Sequence, residues 1–371
     1  MSDDLFLSLD FGLIYEELNF TYNMSGFVPD PATLQCAHLT VSDAATVVLT
    51  VFYALVFAVA LPGNLCVCAV LVRGRQPLPL QPLPPHPVSP RLLLPQPLPP
   101  SDLFLLHLAL ADLLLAATLP FWAVSLWRGW VFGDVLCKTV STLQELSFYS
   151  SVLFLSVISV DRYLVIVRSV QTRRGRRALS RMACAAVWAL GALLSLPALL
   201  SAASQTQGSV SVCREHYDPR SADMWRLATR TLRHALGFLL PLAMMLTCYG
   251  VTVRRLLQMR RGFQKHRAMR LLVCVVLGFL LCWSPYHVAL MVDTLLRARL
   301  LLHDCGVRLS VDRAVLATHA MGLLHSAINP LLYAFVGQNF RSRCAQLMRH
   351  CGARTVTSRS SRSSVSEVTA N

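Results

Sequence analysis

Asp161 and Arg162 stand side by side in VISVDRYLVIV, within a run that is otherwise almost wholly apolar. A charge pair in such a run is costly to desolvate, so its presence points to use rather than accident. At a helix end the two can form an ion pair, with the Arg162 guanidinium reaching toward water over its own apolar stem. Asp112, in LALADLLLAATLP, is a carboxylate near the middle of another apolar run, and such a group suits a bound cation or a proton. Asn64, Asn329 and Tyr333 are polar groups in similar settings. For a lone Asn, a hydrogen bond that holds two helices together is the better account. Trp283 lies two residues before Pro285 in CWSP. A packed core aromatic explains it, and so does a bulky side chain whose position reports bending at the proline. No nucleophile–base set and no zinc-type cysteine spacing accompanies these residues, so the pattern does not support an enzyme.

To sit where it does, each of these residues needs a helix around it. The 371 residues are 54% hydrophobic and only 14% charged, with a mean hydropathy of +0.52. The apolar residues gather in seven blocks, at about 44–72, 102–127, 136–168, 182–203, 227–257, 271–296 and 312–336. Crossing a hydrocarbon core as a helix takes about 20 residues, and each block is apolar all round rather than striped. The pattern predicts an all-α membrane protein with seven transmembrane helices. Proline recurs inside the blocks at Pro62, Pro120, Pro197, Pro241, Pro285 and Pro330. Each removes a backbone donor and is expected to kink its helix, making room for cavities and hinges.

Charge placement orients the bundle. The first 72 residues hold seven acids and no Lys or Arg. The connections near 162–181 and 254–270, and the segment after 340, are rich in arginine. The positive-inside rule places the N-terminus outside and the C-terminus inside. The net charge of +15 therefore describes a cytoplasmic face, and nucleic acid is not an expected partner. The tail before residue 44 carries two N-glycosylation sequons, at Asn19 and Asn23. Of twelve cysteines, Cys36, Cys137, Cys213 and Cys305 fall outside in this topology. Four cysteines in an oxidising compartment suggest two disulfides, and three pairings are open. Cys344 and Cys351 lie on the inner side, where acylation is a candidate role.

Read in order, GN (63–64), LALAD (108–112), DRY (161–163), CWSP (282–285) and NPLLY (329–333) resemble the rhodopsin-type G-protein-coupled receptors across all seven spans. TLP (118–120), WVFG (130–133) and the four outer cysteines narrow the resemblance to chemokine receptors. QKHRAMR (264–270) and LLHSAINPLLYAFVGQNFR (323–341) are similar to the interleukin-8-type CXC receptors. The resemblance implies a set of roles. Arg162 pairs with Asp161 at rest and, with Tyr163, Asn329, Pro330 and Tyr333, meets an inhibitory-class heterotrimeric G protein once the sixth helix opens. Trp283 and Pro285 form the switch. Disulfides join Cys137 to Cys213 and Cys36 to Cys305. An allosteric sodium ion sits among Asp112, Ser151, Ser326 and Asn329, although the Asn common one position before Ser326 is His325 here. The ligand is a basic CXC chemokine of the Glu-Leu-Arg type. Its body meets Tyr15, a candidate for sulfation, with Glu16 and Glu17. Its N-terminus meets Arg226 and Arg230 through its Glu and Asp293 through its Arg, with Arg308 and His319 nearby. His319 stands where many relatives carry an acid. Receptor kinases and arrestin are implied partners of the Ser/Thr-rich tail, and the plasma membrane is the implied location.

The domain reading follows: an acidic glycosylated tail at 1–43, the bundle at 44–336, an amphipathic helix at 337–350 and a disordered tail at 351–371. Residues 76–100 hold eleven of the twenty prolines and suit neither helix nor strand. They read either as a disordered insert with P-x-x-P spacing or as translated intron. The second is preferred, because the flanking spans resume the pattern cleanly. Two rival functions stand beside the signalling receptor. One is a scavenging receptor without G-protein coupling, against which the intact DRY speaks. The other is a transporter or channel, against which the lack of inverted repeats speaks. Retinal chemistry is excluded, since the only lysines are Lys138 and Lys265, neither in the seventh block.

Overall fold

The computed structural model describes residues 42–73, 98–167, 173–207, 210–218, 220–258, 263–298, 300, 305–336 and 340–345. Among the described residues, seven helical spans are long and apolar enough to cross a membrane. They are α1 (Asp43–Arg73), α2 (Pro100–Arg128), α3 (Gly133–Ile166), α4 (Arg173–Ser201), α5 (Ala222–His234) with α6 (Leu240–Leu257), α7 (Phe263–Arg297), and α8 (Cys305–Leu323) with α9 (His325–Val336). In hydrocarbon, backbone polar groups must be satisfied within the chain, which is why apolar runs of this length become helices. α1 packs on α2, α2 on α3, and α3 on both α4 and α6, while α9 closes the ring against α1. The large apolar side chains that remain exposed, such as Leu55, Leu281 and Phe335, cover the outer face of the bundle, as lipid contact requires.

The expected kinks resolve in different ways. Helix continues through Pro62, Pro120, Pro197, Pro285 and Pro330. At Pro241 the chain instead widens into a π turn, Ala235–Leu239, in which the Leu240 N–H reaches back to the Ala235 carbonyl. A proline lacks the donor for the carbonyl four residues earlier, and a wider turn absorbs that loss. Around Pro330 a neighbour makes the repair. The Ser326 carbonyl, left without its usual donor, accepts from Asn64 Nδ2 at 2.9 Å. Gly63 makes this approach possible: a Cβ there would lie 2.7 Å from Pro330 Cγ. The GN pair of α1 is thus a space and a donor fitted to the seventh span.

Between α4 and α5 lies an antiparallel hairpin, β1 (Ala202–Gln207) and β2 (Val210–Glu215), with Ser204 opposite Cys213. The sequence reading did not anticipate it. A disulfide joins Cys213 to Cys137 on the first turns of α3, and Asp134 accepts from the Ser204 N–H at 2.9 Å. Trp130, Cys137, Val140, Ala202 and Cys213 form a separate buried cluster beneath the hairpin. Burial and the neighbouring Glu215 carboxylate push the Tyr217 hydroxyl up to about 12. It therefore stays protonated and donates to Glu215 at 3.1 Å. Cys305 is also disulfide-bonded; its proposed partner Cys36 lies outside the described residues. At the opposite end, residues 340–345 form a short helix within the expected 337–350. Arg343 ties it to Asp102 in the first turn of α2 at 2.9 Å.

Candidate functional site

The buried polar centre forms where α2, α3 and the seventh span meet. Asp112, Ser151 and Ser326 are fully buried, and His325 and Asn329 nearly so. The Asp112 carboxylate receives Ser151 Oγ at 3.2 Å and Asn329 Nδ2 at 2.6 Å. His325 Nε2 lies 3.4 Å from its Oδ1. Of the four residues expected to share a site, Ser151 and Asn329 meet Asp112, whereas Ser326 turns its hydroxyl away to the Leu323 carbonyl at 2.9 Å. A sodium ion takes oxygen lone pairs. Here Asn329 presents its amide nitrogen and His325 an imidazole, so the set does not fit that ion.

One layer toward the hairpin, Trp283 is buried and donates from Nε1 to His325 Nδ1 at 3.0 Å. Phe148 packs on it with ring centroids 4.6 Å apart, and Tyr286 and His319 flank it. Gly322 accommodates the indole, since a Cβ there would stand 2.7 Å from a ring carbon. Trp283 therefore touches both the polar centre and the cavity above it. That cavity is lined by Leu115, Gln144, Glu145, Phe148, Arg233, Trp283, His319 and Leu323.

The charged residues at the hairpin end are joined to one another. Arg230 meets Asp293 at 2.7 Å, and both side chains are buried. Asp293 also takes Arg297 Nε at 2.9 Å with both carboxylate oxygens, and Arg297 continues to Asp312 at 3.2 Å. Deeper, Arg233 binds Glu145 at 2.5 Å and the Tyr286 hydroxyl at 2.7 Å. Arg226 meets the exposed Asp223 at 3.6 Å. Arg308 is half-buried one turn before Asp312. His319 is bonded to Gln144 at 3.1 Å. Glu145, Arg233, Gln144, Arg297 and Asp312 were not singled out from sequence. Arginines at 226, 230 and 233 repeat at helical spacing, which was the available signal. Tyr15, Glu16, Glu17, Asn19 and Asn23 lie outside the described residues, as do most of 76–100 and all of 351–371.

At the opposite end one expected contact is corrected. Asp161 does not pair with Arg162. Its carboxylate binds Arg176 of α4 at 2.7 Å, while Arg162 Nε is buried without a hydrogen-bond partner. Adjacent residues on a helix point about 100° apart, so Arg176 from the packed neighbour reaches the carboxylate more directly. Tyr163 is half-buried beside the pair, and Tyr333 is buried with its hydroxyl unpartnered.

The profile described as 7 transmembrane receptor (rhodopsin family) matches residues 96–333. C-X-C chemokine receptor type 1 of Oryctolagus cuniculus is 45% identical over 80% of this chain and 77% of the relative. The type 2 receptor of Macaca mulatta is 41% identical over 92% and 90%, and that of Homo sapiens 42% over 87% and 84%. The chain belongs to the C-X-C chemokine receptor family. It is a multi-pass membrane receptor, not an enzyme. Within this C-X-C chemokine receptor the hairpin, the Cys137–Cys213 bridge and the linked charges build one end of the bundle. The Asp161–Arg176 pair marks the other, and Trp283, His325 and Asp112 run between.

Proposed function

We propose that this receptor binds CXC chemokines of the Glu-Leu-Arg type at the hairpin end, facing outside, and activates an inhibitory-class heterotrimeric G protein at the opposite, cytoplasmic end to drive leukocyte chemotaxis. The observation that carries the reading is the linked set of buried and half-buried charges of both signs, Arg230–Asp293–Arg297–Asp312 and Arg233–Glu145. A flexible ligand end carrying one Glu and one Arg can exchange partners with these pairs like for like. Each ion pair broken is replaced by one made, so entry does not strand a buried charge. The acidic tail, with Tyr15, Glu16 and Glu17, supplies the complementary surface for the basic ligand body. Glycosylation at Asn19 and Asn23, a Cys36–Cys305 bridge, and a Ser/Thr-rich tail read by receptor kinases and arrestin belong to the same proposal.

The test is G-protein activation by a Glu-Leu-Arg chemokine in cells expressing wild type, Arg230→Ala, Asp293→Ala, Arg162→Ala and a chain lacking residues 1–35. Loss of potency is expected in the two pocket variants, loss of binding in the truncated chain, and loss of activation with binding kept in Arg162→Ala. Wild-type potency in both pocket variants, together with normal binding by the truncated chain, would overturn the ligand and its site. Ligand uptake with no activation in the wild type would favour the scavenging alternative.

A further inference from the structure

We propose that this receptor carries no sodium switch: the His325 imidazole fills the place that the receptor class gives to the ion, with its Nε2 edge 3.4 Å from the Asp112 carboxylate. The inference rests on family membership and the buried centre, not on the ligand proposed above.

Hydrogen placement decides the direction of the contacts. An indole N–H only donates, and Trp283 Nε1 lies 3.0 Å from His325 Nδ1. The same Nδ1 is 2.9 Å from the Gly322 carbonyl. One nitrogen cannot accept from the indole and donate to the carbonyl at once. A hydrogen on Nδ1 would strand the buried indole N–H and would aim the Nε2 lone pair at a carboxylate 3.4 Å away. With the hydrogen on Nε2 the indole keeps its acceptor, and the N–H edge rather than a lone pair lies 3.4 Å from the Asp112 carboxylate, outside hydrogen-bond geometry. Trp283 thus holds the ring by a hydrogen bond on one side while its other edge faces Asp112.

Asp112 meets two hydrogen-bond donors, Ser151 on one oxygen and Asn329 on the other. The negative charge is therefore answered by N–H and O–H groups rather than by an ion. His325 is 1% exposed and its ring is enclosed by Trp283 and Phe279, with centroids 5.6 Å and 5.7 Å away. It cannot swing aside to admit a cation without moving the tryptophan. The residue that excludes the ion is thus the residue that links the cavity to the buried carboxylate.

The experiment measures the apparent melting temperature of purified, ligand-free receptor in matched series of sodium, potassium and choline chloride. Wild type should respond to the three salts alike. His325→Asn, which brings an amide oxygen to the site, should gain a sodium-specific rise of about 2 °C or more, and the double variant with Asp112→Asn should lose it. A sodium-specific rise in wild type that Asp112→Asn abolishes would overturn the proposal. So would a His325→Asn receptor as indifferent to sodium as wild type. Should His325→Asn fail to fold, the wild-type and Asp112→Asn series decide alone.

Discussion

Asp293→Asn keeps the size of the side chain and removes its charge, and the surroundings set the cost. The Asp293 side chain is 2% exposed and that of Arg230 is 9% exposed. Deleting one partner of a buried ion pair costs about 3–5 kcal/mol, because the charge left behind is uncompensated. Here the value falls at the low end. Arg297 keeps Asp312 at 3.2 Å, and Arg230 keeps the Thr294 hydroxyl at 3.1 Å. A loss of about 3 kcal/mol corresponds to a fall of roughly 6–12 °C in apparent melting temperature for a domain of this size. The assay is thermal unfolding of purified receptor at one fixed scan rate, since a large membrane protein unfolds irreversibly and its midpoint depends on rate. Asp223→Asn is the matched control. That carboxylate is 99% exposed and 3.6 Å from Arg226, and surface pairs of this kind contribute little. Its melting temperature should equal that of wild type. A fall of less than 2 °C in Asp293→Asn, or an equal fall in both variants, would refute the claim that the buried network stabilises this end of the bundle.

Arg176→Ala should lower basal G-protein activation, measured by nucleotide exchange without ligand, because it returns the Asp161 carboxylate to Arg162; a rise would contradict this. Cys137→Ser should lower the melting temperature sharply and cut surface expression. The bridge closes a sequence separation of 76 residues, which in the chain-entropy account is worth about 4 kcal/mol. Gly322→Ala places a methyl 2.7 Å from the Trp283 ring, where overpacking costs about 1–3 kcal/mol. Intrinsic tryptophan fluorescence should shift in that variant even where it still folds.

The seven spans were legible because the bilayer demands a fixed length of apolar helix, and composition alone carries that demand. Asp112, Ser151 and Asn329 were legible as a group through resemblance, and the structure puts them in contact. What stayed hidden depended on how helices sit side by side. Nothing in the spacing of Asp161 and Arg176 says that α4 delivers its arginine to α3. Glu145 reads as one more acid until Arg233 meets it across the cavity. His325 stood out as a departure from the class, but only its three-dimensional neighbours show that it bridges Trp283 and Asp112. The hairpin left only a faint signal, the Gly208-Ser209 pair before Val210-Ser211-Val212, because its first strand, Ala-Ala-Ser-Gln-Thr-Gln, is poor in strand-forming residues.

The π turn at Ala235–Leu239 has a consequence for how this protein can change over evolutionary time. One additional residue in a turn advances the phase of everything beyond it by about 100°. Arg230 and Arg233 on one side of the turn, and Met245 and Thr252 on the other, all face the interior only because that offset is present. Deleting a single residue from the turn would swing the arginines toward lipid while leaving every substitution-sensitive position intact. The two halves of this span are therefore indexed separately. A substitution on one side leaves the other in register, whereas a change in the length of the five-residue segment would rotate one half against the other by about 100° per residue.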